Sequence, residues 1–237
     1  MTNEIMILAA TAVSIAFFHT LLGPDHYIPF ISMAKARKWS LAKTSWITGL
    51  CGLGHIASSV ILGIVGIGFG VSVSKITNTE SIRGEIAAWF LIAFGIVYFI
   101  WGVRKAIRSR EHSHKHDHID GSNHVHNHSH KEKHLHIHSD KKERNITPWI
   151  LFTIFFFGPC EPLVPILMYP AAKDSMFGLI LITSTFGLIT ILTMLGVVLT
   201  TSLGVNLFPL KRLERHTHAL AGATLFFCGI SIQFLGL

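Results

Sequence analysis

Residues 5–22 read IMILAATAVSIAFFHTLL, and Gly23-Pro24-Asp25-His26-Tyr27-Ile28-Pro29 follows at once. The first stretch holds no Asp, Glu, Lys or Arg over eighteen residues. That is about the length an α-helix needs to cross the hydrocarbon core of a bilayer. The second stretch breaks the helix, because proline carries no backbone N–H and clashes with the preceding turn. A spanning helix that ends in a Gly-Pro break, with an aspartate and a histidine beside it, sets how the rest of the chain is read.

Working outward, five more apolar stretches follow: Ser45–Val73, Ile86–Val103, Trp149–Tyr169, Met176–Leu203 and Ala219–Leu237. Backbone groups in lipid must find partners within their own segment, so each stretch is expected to be a helix. The composition agrees. Half of the 237 residues are hydrophobic and 14% are charged, against roughly 25% charged in soluble domains. The net charge of +7 does not point to nucleic acid, because the basic residues sit between the apolar stretches. The N-terminus has neither a basic n-region nor a small-residue cleavage site, so Ile5–Leu22 reads as a retained span. Cys51, Cys160 and Cys228 all lie inside apolar stretches, and an odd, scattered set makes no disulfide framework.

The basic residues orient the chain. Of the 20 Lys and Arg, 17 fall in the first, third and fifth connections, and only Lys75, Arg83 and Lys173 fall on the other side. The odd-numbered connections are therefore expected in the cytoplasm, with both termini outside and the whole in a prokaryotic cell membrane.

The sequence also repeats itself. Gly23-Pro24-Asp25-His26 in the first half answers Gly158-Pro159-Cys160-Glu161 in the second, 135 residues on, and Phe94-Gly95-Ile96 answers Cys228-Gly229-Ile230, 134 on. Three spans per half invert the second half relative to the first. Such inverted repeats build many transporters, with the substrate site at the midplane beside broken helices. The expected organisation is one transmembrane domain: a three-helix repeat over 1–103, a loop over 104–147 and a second repeat over 148–237. Gly23, Pro24, Gly158 and Pro159 are its candidate hinges.

Ionisable groups inside a bilayer cost several kcal/mol unless they face a partner or a wet cavity. The candidates here are His19, Asp25, His26, His55, Glu161 and, beside the last, Cys160. Imidazoles with one or two carboxylates suit nickel, cobalt, zinc or iron(II), and a carboxylate beside a ligating histidine orients it. Glu161 reads either as a ligand or as a proton carrier.

The third connection is of another kind. His112, His114, His116, His118, His124, His126, His128, His130, His134, His136 and His138 alternate with mostly polar residues. A segment of this composition is expected to be disordered when empty. Its imidazoles can converge on a metal ion while they are neutral, which makes it an accessory metal loop.

The run from His19 to Asp25-His26 resembles the His-x(4–5)-Asp-His signature of the nickel/cobalt transporters, on the branch related to urease-accessory membrane proteins. The Gly158–Pro162 run and the histidine loop are similar to that branch as well. The resemblance implies carriage of Ni²⁺ or Co²⁺, with His19, Asp25 and His26 handling the metal; Zn²⁺ and Fe²⁺ suit the same ligands. The expected protein is a carrier and not an enzyme, with no prosthetic group, working by alternating access. Its partners are the metal ion and membrane lipid, with no nucleic acid; a homo-oligomer or a metal-delivery partner is compatible with the sequence. No ATP-binding motif appears. Two charges moving inward through ~100 mV gain roughly 4–5 kcal/mol, which favours import.

Two other readings stay open. Pro159-Cys160-Glu161-Pro162 resembles the membrane thiol-disulfide electron carriers of cytochrome biogenesis, which are built as the same three-plus-three repeat. Those need a cysteine in each half, and the repeat partner of Cys160 is Asp25. Export of sulfite or an organosulfonate is the other; it calls for an intramembrane Lys or Arg, or a helix N-terminus aimed at the site, whereas the apolar cores hold no Lys or Arg and Asp25 and Glu161 favour a cation.

Overall fold

The computed structural model describes residues 3–108, 112–117, 123–128, 146–172, 175–207 and 214–235. Among the described residues eight α-helices follow one another: α1 (Asn3–Leu22), α2 (Ile28–Arg37), α3 (Leu41–Gly68), α4 (Val73–Arg108), α5 (Thr147–Phe157), α6 (Leu163–Ala172), α7 (Met176–Leu207) and α8 (Thr217–Leu235). Five of them, α1, α3, α4, α7 and α8, are long and apolar enough to cross a membrane. The protein is an integral membrane protein of several spans. Large apolar side chains such as Trp46, Leu53, Val97 and Phe177 are more than half exposed, as lipid-facing positions are.

Local sequence explains the boundaries. Ser40 caps α3, its hydroxyl accepting from the Lys43 amide at 3.3 Å. The α2 helix closes on Lys38 in the left-handed region, φ 52°. Hydroxyls within the spans donate to carbonyls one turn back, as Thr20 does to Ala16 at 2.8 Å, and so leave no polar group bare to lipid.

The expected single span Trp149–Tyr169 is not continuous. It divides into α5 and α6 at Gly158–Pro162, because Pro159 and Pro162 each remove a helix donor. The chain breaks likewise between α1 and α2, where Pro24–His26 makes one 3-10 turn. In both halves a short helix of ten residues follows the break.

The expected third span, Ile86–Val103, is too short. Helix α4 begins at Val73, so Lys75, Glu80, Arg83 and Glu85 belong to a helix and not to a loop. The hydropathy of this first part is lowered by the Glu80–Arg83 pair, which satisfies its own charges at 2.6 Å and so tolerates a helix.

The histidine segment, expected to be disordered, is described in two parts. His112–Asp117 (β1) and Asn123–His128 (β2) pair as antiparallel strands, with His112 opposite His128, His114 opposite His126 and His116 opposite His124. Period-two alternation matches a strand as well as a loop. His118, His130, His134, His136 and His138 lie outside the described residues.

Helices α4 and α8 make the most extensive contact. Gly95 and Gly102 on one and Gly222 and Gly229 on the other leave no room for a Cβ; at Gly222 it would meet the Phe99 backbone, with Cα at 2.6 Å. Small residues permit such backbone approach between membrane helices. Two apolar clusters fill the interior. One gathers Phe30, Met33, Leu151, Met194 and Leu225; the other gathers Ala16, Leu163, Leu167, Ile182 and Phe186. The two helix breaks face each other across the space between.

Candidate metal centre

His19 stands in the last turn of α1, His26 in the 3-10 turn and His55 midway along α3. The Gly23-Pro24 break brings them together. It folds the chain so that the ring centroids of His19 and His26 lie 4.8 Å apart, edge to face. His55 reaches in from α3, its ring 5.2 Å from that of His26. One ligand nitrogen from each residue lies within 4.8 Å of the other two. Gly23 is needed for this turn, since a Cβ would stand 2.6 Å from His26 Nδ1 and 2.9 Å from Asp25 Oδ1.

Hydrogen bonding fixes the tautomer of His26. Its Nδ1 lies 3.0 Å from Asp25 Oδ1 and 3.2 Å from the Gly23 carbonyl oxygen. A carbonyl oxygen only accepts, so Nδ1 carries the proton and donates. In the neutral ring Nε2 then carries the lone pair. That nitrogen, His19 Nε2 and both ring nitrogens of His55 are buried without a hydrogen-bond partner. A buried polar atom left unpaired costs about 1–3 kcal/mol. Three rings that each turn one nitrogen toward the other two are best accounted for by a ligand that takes one lone pair from each.

A metal ion is such a ligand. Zinc–imidazole bonds of ~2.0–2.1 Å put ligand nitrogens about 3.3 Å apart in a tetrahedron. The nitrogens lie within 4.8 Å of one another, so to hold such an ion the rings would close by up to about 1.5 Å. Asp25 stands against the His26 ring where a carboxylate commonly supports a metal-bound histidine.

The centre opens on a cavity of about 810 Å³ between the two breaks, whose lining includes Asp25, Glu85 and Glu161 along with Gln233. Among the described residues three carboxylates and no Lys or Arg line it, a lining that suits a cation better than an anion such as sulfite. Glu161 is exposed at this wall and is outside the three-histidine group. Cys160 is not brought to the centre. It is fully buried against the cluster of Leu163 and Phe186 and does not line the cavity. Cys51 and Cys228 are buried and free as well. Gly158 and Pro159 do line the cavity, as does Gly23.

One group escaped the sequence reading. Glu80, fully buried in α4, accepts from the Ser59 hydroxyl at 3.0 Å, from the Cys160 amide at 3.1 Å and from Arg83 at 2.6 Å. The available signal was the i, i+3 spacing of Glu80 and Arg83, which pairs opposite charges on a helix.

Residues 28–231 match the family model described as the cytochrome c biogenesis protein transmembrane region. No curated protein and no solved structure matches the chain. The match overturns the nickel/cobalt transporter assignment, and with it the expected carriage of Ni²⁺ or Co²⁺. The reason is one of extent. The transporter-like signature occupies His19 to His26, wholly outside the matched residues, whereas the match runs through seven of the eight helices and the second break. The motif was local; the family is carried by the layout of the helices.

Proposed function

This chain belongs to the cytochrome c biogenesis transmembrane family, and from that premise we propose that it is a membrane carrier of reducing equivalents for thiol–disulfide chemistry, working through a metal centre in place of a cysteine pair. The observation that carries the reading is the convergence of His19, His26 and His55, each offering one buried, unpartnered imidazole nitrogen within 4.8 Å of the other two. A dithiol carrier needs two thiols that can meet. Here Cys160 faces a packed cluster, away from the cavity, and Asp25 holds the repeat-related position. Imidazole suits iron and copper, either of which supplies a one-electron couple when bound. A dithiol partner at one membrane face releases two electrons and two protons as it closes its disulfide. His19, His26 and His55 would hold the ion, which would supply the one-electron couple between that dithiol and a disulfide at the other face; the disulfide takes up two electrons and two protons as it opens to a dithiol, and the protons released by the first partner go to solvent on its own side. The chain acts as a carrier and not as an enzyme, and the ion is resident and not cargo.

The architecture that serves this is six spans in an inverted repeat, with α5 and α6 together making the fourth. Its support is the offset of 135: α2 and α6 share it at both ends, and α3 and α7 share it at their starts. The breaks at Gly23-Pro24 and Gly158-Pro159 give the cavity alternate access to the two faces. The distribution of Lys and Arg favours cytoplasmic odd-numbered connections, with the histidine segment there loading the centre.

The test is copper binding to the purified protein in detergent, with the 112–138 segment deleted so that its histidines do not compete. One Cu²⁺ per chain, with an electron paramagnetic resonance signal split by imidazole nitrogen and lost in His26→Ala, is expected. Wild-type protein that takes up no copper, or whose signal survives His26→Ala unchanged, contradicts the centre.

A further inference from the structure

The centre has three imidazoles but only one of them, His26, is oriented by a hydrogen bond of its own ring. His55 makes no well-formed hydrogen bond with its ring, although the Phe155 backbone lies beside it, and the packing around it does the rest of the holding. The Gly158 backbone lies against the ring, so closely that a Cβ there would stand 3.2 Å from His55 Nδ1. Gly158 is in turn fixed by its neighbours. The Cys160 amide donates to Ser59 Oγ at 3.2 Å and to Glu80 Oε2 at 3.1 Å. Pro159 is pressed on Gly84, where a Cβ would meet Cγ at 2.7 Å. Arg83 donates to the Phe156 carbonyl oxygen at 2.9 Å.

The same pair holds the other side of His55. Arg83 Nη2 donates to Ser58 Oγ at 2.8 Å, and Ser58 Oγ donates to the His55 carbonyl oxygen at 2.8 Å. Glu80 accepts from Ser59 as well. From these contacts we infer that Glu80, with Arg83, is the positioning element of the centre: it clamps the second helix break and the His55 turn of α3 to α4, and thereby sets where the third imidazole stands.

A buried carboxylate and guanidinium that served packing alone would be replaceable by apolar groups of similar size. This pair instead spends its hydrogen bonds on a free amide of the broken helix, on two serines within one turn of His55 and on a carbonyl of α5. The first break has no counterpart among the described residues. The second break is thus tied to α4 through side-chain hydrogen bonds, whereas those described at the first break stay within it and the end of α1. The inference rests on the metal-centre reading, and its test separates the two.

The test uses the full-length protein in detergent with nitrogen-15 labelled histidine, in the wild type and in Glu80→Gln, Ser58→Ala and His55→Ala. Glu80→Gln keeps shape and polarity, and Ser58→Ala removes one hydroxyl and so guards against a mere failure to fold. Without metal, the imidazole resonances of His55 are expected to move in both Glu80→Gln and Ser58→Ala while those of His19 stay. With Cu²⁺, followed through the resonance signal that His26→Ala removes so that the histidine segment does not count, Glu80→Gln is expected to weaken binding by roughly 10–100-fold, the usual effect of removing an outer-shell partner, and to have no further effect in the His55→Ala background. Unmoved His55 resonances, or an equal loss of affinity with and without His55, overturns the positioning role. Selective movement of His55 in a wild type that binds no copper retains the positioning role and overturns the metal centre instead.

Discussion

Gly158 seats its backbone against the imidazole of His55: a methyl group added to it would stand 3.2 Å from Nδ1. These residues are about a hundred positions apart and belong to opposite halves of the chain. Their contact is where the second helix break meets the three-histidine group formed around the first. It makes the centre a property of both halves.

The first prediction follows from that contact. Gly158→Ala forces His55 to shift by a few tenths of an ångström, and the copper affinity is expected to fall about tenfold, at the lower end for an outer-shell change. Gly23→Ala is expected to lose more, because its Cβ would meet two groups of the centre, His26 Nδ1 at 2.6 Å and Asp25 Oδ1 at 2.9 Å. Titration calorimetry with Cu²⁺ orders the two variants.

Asp25 is expected to matter through His26. In Asp25→Asn the amide can still contact Nδ1 but no longer presents a charged acceptor, and charge-assisted bonds are about twice as strong as neutral ones. Copper affinity is expected to fall roughly 10–100-fold with the imidazole splitting of the resonance signal retained. Loss of the splitting itself would assign Asp25 a role beyond holding the ring.

Much of this arrangement is legible in the sequence, and the parts that are not have physical reasons. The long apolar helices and both Gly-Pro breaks can be read directly, because lipid demands continuous apolar stretches and proline ends them. His19, Asp25, His26 and His55 stand out as ionisable groups in apolar surroundings. Their convergence does not, since it depends on how the 3-10 turn at Pro24–His26 folds back. The start of α4 is hidden because Glu80 and Arg83 look like loop residues until their charges are seen to cancel within the helix. Cys160 draws attention by its neighbours Pro159 and Pro162, but which way its thiol points is decided by packing against Leu163 and Phe186. The family is hidden behind local resemblances: His19 to His26, Gly158 to Pro162 and the histidine segment resemble a metal transporter, while the match to cytochrome c biogenesis proteins extends over 28–231.

The crossing of α4 and α8 predicts a stability effect with no effect on the metal. Gly222→Ala puts a methyl group into the Phe99 backbone, which no side-chain rotation relieves. Overpacking of this kind costs about 1–3 kcal/mol. The thermal midpoint in detergent is expected to drop while the protein that remains folded binds copper with wild-type affinity. An unchanged midpoint would mean that the two helices do not cross at these glycines.

The cysteines provide a separate check. Cys51, Cys160 and Cys228 are free and buried, and the proposed carrier does not use them. A variant with all three changed to alanine is expected to bind copper as the wild type does and to resist thiol reagents no differently. Copper binding that disappears with Cys160 alone would bring that thiol into the centre.

The most direct measurement is electron transfer across a membrane. Purified copper-loaded protein is placed in phospholipid vesicles that enclose an oxidised disulfide probe, and a reduced dithiol protein is added outside. The account predicts probe reduction with the wild type and with the cysteine-free variant, and a fall to the protein-free rate with His26→Ala or after copper is removed by a chelator. Reduction that persists without copper and stops when the cysteines are removed would contradict the metal centre and return the chain to dithiol chemistry. No reduction by any form of the protein would contradict the carrier function itself.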